Sequence, residues 1–260
     1  MLQLLLENPQ LRAAAQAGGL LIGRVMPLVV FTPMLGGPVL PARLRVGISL
    51  LLVMVLLPAV APATPVELTT AEFAGLAFKE ALVGLTLATM ILLMYHAFTT
   101  FGAIVDVTRG ATLANVYDPA TQQQQPVLGT LFLQTAIVLF LTLGGHRVVI
   151  EALGQSLQTI PLFDAAPPGL SATPLFLAML TELLVVAIRL AFPVILILLL
   201  LDVVLGLLNK VAPQVQVYFL GLTIKTSLGL AAVLLGLLLT VDLMRVHFVT
   251  VLERLMTVGT

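Results

Sequence analysis

The sequence predicts an all-α, membrane-associated protein built from six long apolar helical segments arranged as hairpins. Hydrophobic residues make up 60% of the 260-residue chain and charged residues only 9%, whereas soluble domains carry about 25% charged residues. The apolar residues are gathered in runs of the length that crosses a bilayer, which is about 20 residues. The predicted segments are 13–34, 46–61, 72–101, 127–143, 175–208 and 217–244.

Glycine and proline mark the ends of the first two segments. The stretch 36–41 (GGPVLP) follows the first segment, and a cluster of prolines between 58 and 65 follows the second. Both residue types interrupt helices. The third segment begins near Glu72 and is followed by a polar loop, which we place at 106–126.

The second half of the chain has one short segment and two long ones. Gly144-Gly145 ends the fourth segment, and residues 146–160 have the pattern of an amphipathic helix. The fifth segment is too long to be one straight span of a hydrocarbon core of about 30 Å, and Pro193 near its centre predicts a kink. A turn at 209–216 joins it to the sixth segment, and an amphipathic tail follows at 245–260. We find no internal repeat and treat 1–260 as a single domain.

Composition excludes several functional classes. Formal net charge is zero and no basic stripe is present, which argues against a nucleic-acid partner. Cysteine is absent, and the three histidines are far apart in sequence, so no metal-ligand spacing and no cofactor site is predicted. The first residues include Glu7 and lack the basic region of a signal peptide, so we expect them to be retained. Lysine and arginine show no clear bias between the two sides of the predicted spans.

Charged residues inside the last apolar segments are predicted to pair by depth. Counting outward from the hairpin turn near residue 213 gives three matched pairs. The pairs are Asp202 with Lys225, Glu182 with Arg245, and Arg189 with Asp242. Charges in apolar segments are candidate functional sites. We favour structural ion pairs, while a proton relay and contacts with partner subunits stay open.

The polar loop, DVTRGATLANVYDPATQQQQP, is the most polar stretch of its length in the chain. It contains no nucleophile and base pair, no phosphate-binding glycine pattern and no metal-ligand cluster, so we predict no enzyme. Two interpretations stay open: a plain solvent-exposed connection, or non-helical backbone that lines a water-filled cavity.

Several stretches, in the same order and spacing, resemble the FliR/SctT family of bacterial type III protein export gates. The matching stretches are 33–47 (PMLGGPVLPARLRVG), Lys79-Glu80 with Gly84, Tyr117-Asp118-Pro119, 126–129 (PVLG), 139–146 (LFLTLGGH), Ile160-Pro161, and 205–214 (LGLLNKVAPQ) with the Lys225 segment after it. The resemblance covers most of the chain.

This resemblance implies partners, a location and a role. Family members are single copies in a helical assembly with P-type (FliP/SctR-like) and Q-type (FliQ/SctS-like) subunits, near an FlhB/SctU-like switch protein. The assembly lies in the bacterial inner membrane, at the base of a flagellar basal body or injectisome, and unfolded secreted proteins pass through it. Its hairpins lie largely at or above the periplasmic face of the bilayer.

In the family, the loop after the third segment acts as a plug inside the closed pore. Carried over by position, the plug residues here are Asp106, Arg109, Gly110, Thr112, Asn115, Tyr117, Asp118, Pro119, Gln122 and Gln125. The glutamines and Arg109 depart from the family pattern. His146 favours the flagellar branch, to which we lean, whereas the Asp106–Arg109-Gly110 pattern and the Thr223–Lys225 segment favour the injectisome branch.

The alternative function is a proton- or ion-coupled secondary membrane transporter. In that case Asp202, Lys225 and Glu182 would form a charged site near the midplane of the bilayer. A transporter should be active alone or as a homo-oligomer, whereas a gate subunit depends on heterologous partners.

Overall fold

The structure is a computed structural model that describes residues 9–35, 37, 40–60, 66, 68–111, 126–164, 172–214, 216–235 and 237–258. It contains eight α-helices within those residues: α1 (Pro9–Phe31), α2 (Ala42–Val60), α3 (Thr70–Thr108), α4 (Val127–Thr142), α5 (Gly145–Thr159), α6 (Ala172–Val211), α7 (Val217–Leu235) and α8 (Leu237–Val258). A short 3-10 turn, Pro33–Leu35, follows α1. No β-strand occurs in the described ranges, so the predicted all-α fold class is confirmed.

Five helices are long and apolar enough to cross a membrane by length and composition. They are α1, α2, α3, the part Leu180–Val211 of α6, and α7. Helices α4 and α5 meet at an angle of 72° and provide a sixth candidate, as a broken span or re-entrant pair. This agrees with the six apolar segments predicted from the sequence.

Three of the predicted segments differ in extent from the observed helices. The third segment does not end near 101, because α3 continues to Thr108. Asp106 therefore lies in the last turn of a helix and not in the loop. The fifth segment extends further at both ends, and α6 runs through Pro193 without a break. The sixth segment and the tail are replaced by α7 and α8, which flank Gly236, a residue outside the described part of the chain.

The chain divides into two compact units. The first comprises Met1–Leu93, Phe140–Met179 and Thr250–Thr260, and the second comprises Met94–Leu139 and Leu180–Val249. The first unit contains α1, α2 and α5, and the second contains α7. The other four helices contribute to both units.

In the first unit, α1 and α3 run parallel with their backbones in close contact. A Cβ added to Gly23 would lie 3.3 Å from the carbonyl oxygen of Ala77. A Cβ added to Gly84 would lie only 2.1 Å from the carbonyl oxygen of Arg24. Small residues allow this approach, which is the usual reason for glycine in helix contacts within membranes.

In the second unit, aromatic side chains from three helices form the core. The rings of Phe101 on α3 and Phe132 on α4 are 4.5 Å apart. The rings of Phe98 on α3 and Phe248 on α8 are 5.2 Å apart. These four side chains are almost completely buried, so they fix the C-terminal half of α3, from which the polar loop starts.

Candidate functional site at the base of the polar loop

Asp106 holds together the two chain segments from which the polar loop emerges. Its carboxylate oxygen Oδ2 accepts a hydrogen bond of 2.8 Å from the backbone N–H of Leu128, at the start of α4. The first turn of a helix has unpaired N–H groups and a positive dipole end, so a carboxylate there is stabilising. One side chain therefore caps α4 from the last turn of α3.

Arg109 occupies the other oxygen of the same carboxylate. Its Nε and Nη2 atoms donate to Oδ1 of Asp106 at 2.8 and 2.6 Å. Both side chains are buried, with Asp106 1% and Arg109 7% exposed. Because each oxygen has donors, the buried negative charge is fully compensated. Gly110, which has a φ of +80°, follows directly and ends the helix.

Two glycines bring the backbones of α3 and α4 together next to this carboxylate. A Cβ added to Gly102 would lie 2.4 Å from the backbone nitrogen of Gly129. A Cβ added to Gly129 would lie 3.0 Å from the carbonyl oxygen of Thr99. The base of the loop is thus held by direct backbone packing and by one carboxylate.

Helix α7 packs against the same base. A Cβ added to Gly229 would lie 3.2 Å from Cβ of Arg109. The hydroxyl of Thr226 lies 3.5 Å from the carbonyl oxygen of Arg109 and donates a shorter bond, of 2.9 Å, to Leu222 on its own helix. Arg109 is therefore in contact with both Asp106 and α7.

A cavity of about 550 Å³ lies beside the base, between the end of α3 and helices α6 and α7. The side chains of Asp202 and Lys225 form an ion pair in its wall. Asp202 is 47% and Lys225 21% exposed at the side chain. The cavity is also lined by Val107, Gly110, Asn209 and Tyr218. The sequence placed Asp202 and Lys225 at equal depth, and the structure brings them together.

The other two predicted pairs are not formed. Glu182 lies 3.6 Å from Nδ1 of His247, not beside Arg245. His247 also packs edge-on against Phe98, so this face of α8 points to the core. Arg245 is two residues earlier, about 200° around the helix, and therefore faces away. Arg189 and Asp242 are exposed and make no ion pair with any described residue.

Seven of the ten predicted plug residues fall in the range 112–125, outside the described part of the chain. Thr112, Asn115, Tyr117, Asp118, Pro119, Gln122 and Gln125 lie outside the described residues. Of the predicted set, Asp106, Arg109 and Gly110 are described, and all three belong to the base of the loop.

Sequence reasoning missed the most buried charged cluster. In the first unit, the guanidinium of Arg24 pairs with the carboxylate of Glu80, which also contacts Nζ of Lys79 at 2.8 Å. Arg24 and Glu80 are completely buried. The one feature of the sequence that could have indicated this cluster is that each of its charged residues interrupts an apolar run. Their pairing depends on the register of α1 against α3, which the sequence does not reveal.

The chain resembles known bacterial export proteins over most of its length. The family model described as bacterial export proteins, family 1, matches residues 15–251. Flagellar biosynthetic protein FliR of Escherichia coli (strain K12) is 31% identical over 83% of this chain and 82% of its own length. Surface presentation of antigens protein SpaR of Shigella flexneri is 32% identical over 80% of this chain and 79% of its own length. SpaR of Salmonella typhimurium is 31% identical over 88% of this chain and 84% of its own length.

Proposed function

The chain belongs to family 1 of the bacterial export proteins, and we propose from this membership that it is a non-enzymatic pore subunit of a type III protein export gate. Its apolar helices make it a membrane component of that apparatus. Relatives with flagellar names and relatives named for surface presentation of antigens are equally similar, at 31% and 32% identity. The flagellar and injectisome branches therefore both stay open.

The observation that carries the pore proposal is the bond between Asp106 and Leu128. A plug must be a polar segment whose two ends stay fixed while its middle moves. The carboxylate of Asp106 and the glycine contact beside it fix both ends at one place. Residues 112–125, between these ends, are rich in small and uncharged polar residues. Movement of the segment would leave α3 and α4 intact.

The length of the apolar surface on α6 supports assembly with other subunits. The part Leu180–Val211 has 32 residues, and so a length of about 48 Å. Large apolar side chains are exposed along this whole stretch, including Leu200 at 59% and Val211 at 83%. Even a tilt of about 40° leaves it near 37 Å, more than the hydrocarbon thickness of about 30 Å.

The excess length of α6 therefore supports cover by apolar protein surfaces in addition to lipid. The partners proposed for this role are P-type and Q-type export-gate subunits, in the bacterial inner membrane, with an FlhB/SctU-like switch protein nearby. The substrates are unfolded secreted proteins.

Deleting Thr112 to Gln122 in the chain, expressed with its neighbouring subunits, tests the plug directly. The complex should assemble, because Asp106, Gly129 and Leu128 are untouched, but the membrane should become leaky to ions and small molecules. A variant in which the same stretch is replaced by glycine and serine keeps the length of the loop and changes only its side chains. This variant should leak less than the deletion. Unchanged conductance in an assembled deletion complex would overturn the plug proposal.

The ion pair in the cavity wall favours one alternative, a secondary transporter with Asp202 and Lys225 at its site. Co-purification separates the two functions. A large complex that contains two further small apolar proteins and one copy of this chain supports the export gate. A monomer or homodimer with a substrate-dependent thermal shift supports the transporter.

A further inference from the structure

We propose that Arg189 on α6 pairs with a carboxylate on an apolar helix of another subunit. This inference rests on the proposed function and deepens it, because it gives the chemistry of the partner at one position on the exposed surface of α6.

Arg189 lies on the outer side of α6. The buried side chains in this part of the helix form one stripe, at Leu183, Ala187, Leu190, Ala191, Val194 and Leu198. Arg189 is two residues from both Ala187 and Ala191, which places it about 160° around the helix from each of them. Its side chain is exposed, and within the described residues it has no hydrogen-bond or ion-pair partner. The guanidinium therefore points away from the core of its own chain.

The surface around this guanidinium is apolar in both directions along the helix. Val185 and Phe192, about one turn before and after it on the same side, are 39% and 59% exposed. Exposed leucines continue this surface to Leu177 on the N-terminal side and to Leu200 on the C-terminal side. Arg189 thus lies about 16 Å of helix length from the nearer end of the apolar stretch.

This position inside an apolar stretch selects the occupant. Water would leave a continuous apolar surface uncovered, and lipid tails would cover it but give the charge no counter-ion. A phospholipid headgroup can pair with arginine at the end of an apolar stretch, whereas Arg189 is near the middle of one. A helix of another protein supplies both apolar cover and a carboxylate, which can accept two parallel hydrogen bonds from a guanidinium.

The carboxylates of this chain that lie nearest in sequence have other partners. Helix α6 contains two of them. Glu182 lies beside His247, and Asp202 pairs with Lys225. Asp242, which the sequence predicted as the partner of Arg189, makes no ion pair with any described residue. The carboxylate that compensates Arg189 is therefore expected on a different chain.

Photo-crosslinking in the assembled complex identifies the occupant. Benzoylphenylalanine replaces Val185 in one variant and Phe192 in another, so that Arg189 stays intact between the two labels. Both labels should form adducts with one helix of another subunit. Mass spectrometry of the adducts should place an Asp or Glu of that helix between the two crosslinked positions.

Four results of the crosslinking would each overturn the inference. They are adducts with phospholipid, adducts with a second copy of this chain, adducts with a helix that has no carboxylate between the crosslinked positions, and no adduct at all in an assembled complex. If the unmodified chain purified without any other subunit, the proposed function would fail together with this inference. An assembled complex with one of the four results contradicts this inference alone.

Charge reversal tests the pair itself. Arg189→Glu places two like charges together and should reduce the amount of the crosslinked subunit that co-purifies with this chain, on the order of tenfold or more. Arg147→Glu reverses an exposed arginine on the amphipathic helix α5 and should leave this amount unchanged. Because Arg189 is exposed, its replacement does not disturb the packing of its own chain, and the level of the chain in membranes checks this.

A charge swap completes the test. Changing the identified carboxylate to arginine should lower co-purification when Arg189 is present and restore it in the Arg189→Glu variant. Unchanged co-purification in Arg189→Glu, or a loss that the swap does not restore, would overturn the inference.

Discussion

Arg24 on α1 and Glu80 on α3 form a two-point ion pair in the core of the first unit. The Nε and Nη2 atoms of Arg24 lie 2.5 and 3.0 Å from the two carboxylate oxygens of Glu80. The same guanidinium donates to the carbonyl oxygens of Ser156 and Ile160, at 2.8 and 2.7 Å. One side chain thereby joins α1, α3 and the C-terminal end of α5.

Replacing Arg24→Met should destabilise this unit by about 3–5 kcal/mol, because the buried carboxylate of Glu80 keeps only its contact with Lys79 and the carbonyl groups of Ser156 and Ile160 lose their donor. The expected result is faster amide hydrogen exchange in peptides that cover α5, measured by mass spectrometry on the purified complex. Arg12→Met removes an exposed arginine from α1 and should change nothing. Equal exchange in the two variants would show that the pair does not hold α5.

Two glycines on α3 allow the effect of close helix packing to be measured separately from the effect of helix propensity. At Gly84 an added Cβ would meet the backbone of Arg24, whereas at Gly75 nothing lies within 4 Å. Gly84→Ala should force α1 away from α3 and cost about 1–3 kcal/mol or more. Gly75→Ala should be neutral or stabilise by up to about 1 kcal/mol, because alanine is the better helix former.

The thermal unfolding midpoint, followed by circular dichroism in detergent, measures both glycine variants. We expect a lower midpoint for Gly84→Ala only. A midpoint unchanged by Gly84→Ala would contradict the close approach of α1 and α3.

The helices were predictable because hydropathy over about 20 residues follows from the sequence alone. The end of α3 was not predictable in this way. A charged residue such as Asp106 suggests the start of a loop until the three N–H groups that donate hydrogen bonds to its carboxylate are known. Those donors come from Arg109 and from Leu128, which lies 22 residues later. A buried carboxylate can lie in the last turn of a helix when both of its oxygens accept hydrogen bonds.

The ion pairs show which distances between residues can be predicted by counting along the sequence and which cannot. Asp202 and Lys225 are related by a short hairpin turn, so counting residues gives their depth. The same count failed for Glu182 and Arg245, because depth does not give the rotation of α8 about its axis. Arg24 and Glu80 belong to helices that are separated by a whole further helix, so no count of residues relates them.

A double-mutant cycle measures the coupling of Asp202 and Lys225. Asp202→Ala and Lys225→Ala should each lower the unfolding midpoint, because each change leaves a charge without its partner. The double variant should be more stable than the sum of the single changes predicts. Since both side chains are partly exposed, we expect a coupling on the order of 1 kcal/mol. Strict additivity would mean that the pair contributes nothing to the hairpin.

Asp106→Asn tests the base of the polar loop, and the stereochemistry of the amide makes the expectation specific. The carboxylate accepts from Arg109 with one oxygen and from Leu128 with the other. An asparagine has one acceptor oxygen and one NH2 group, so in either orientation its NH2 faces an existing donor. We therefore expect a loss of about 3–5 kcal/mol, as for other broken buried pairs.

The effect of Asp106→Asn should be local and measurable by hydrogen exchange. Amides in the first turn of α4 should exchange faster, while peptides from α5, in the other unit, keep the protection of the unmodified protein. Asp242→Asn changes an exposed aspartate on α8 and should leave both regions unchanged. If the start of α4 kept its protection in Asp106→Asn, the carboxylate would not be what holds the two ends of the loop together. The pore proposal would then lose the observation that carries it.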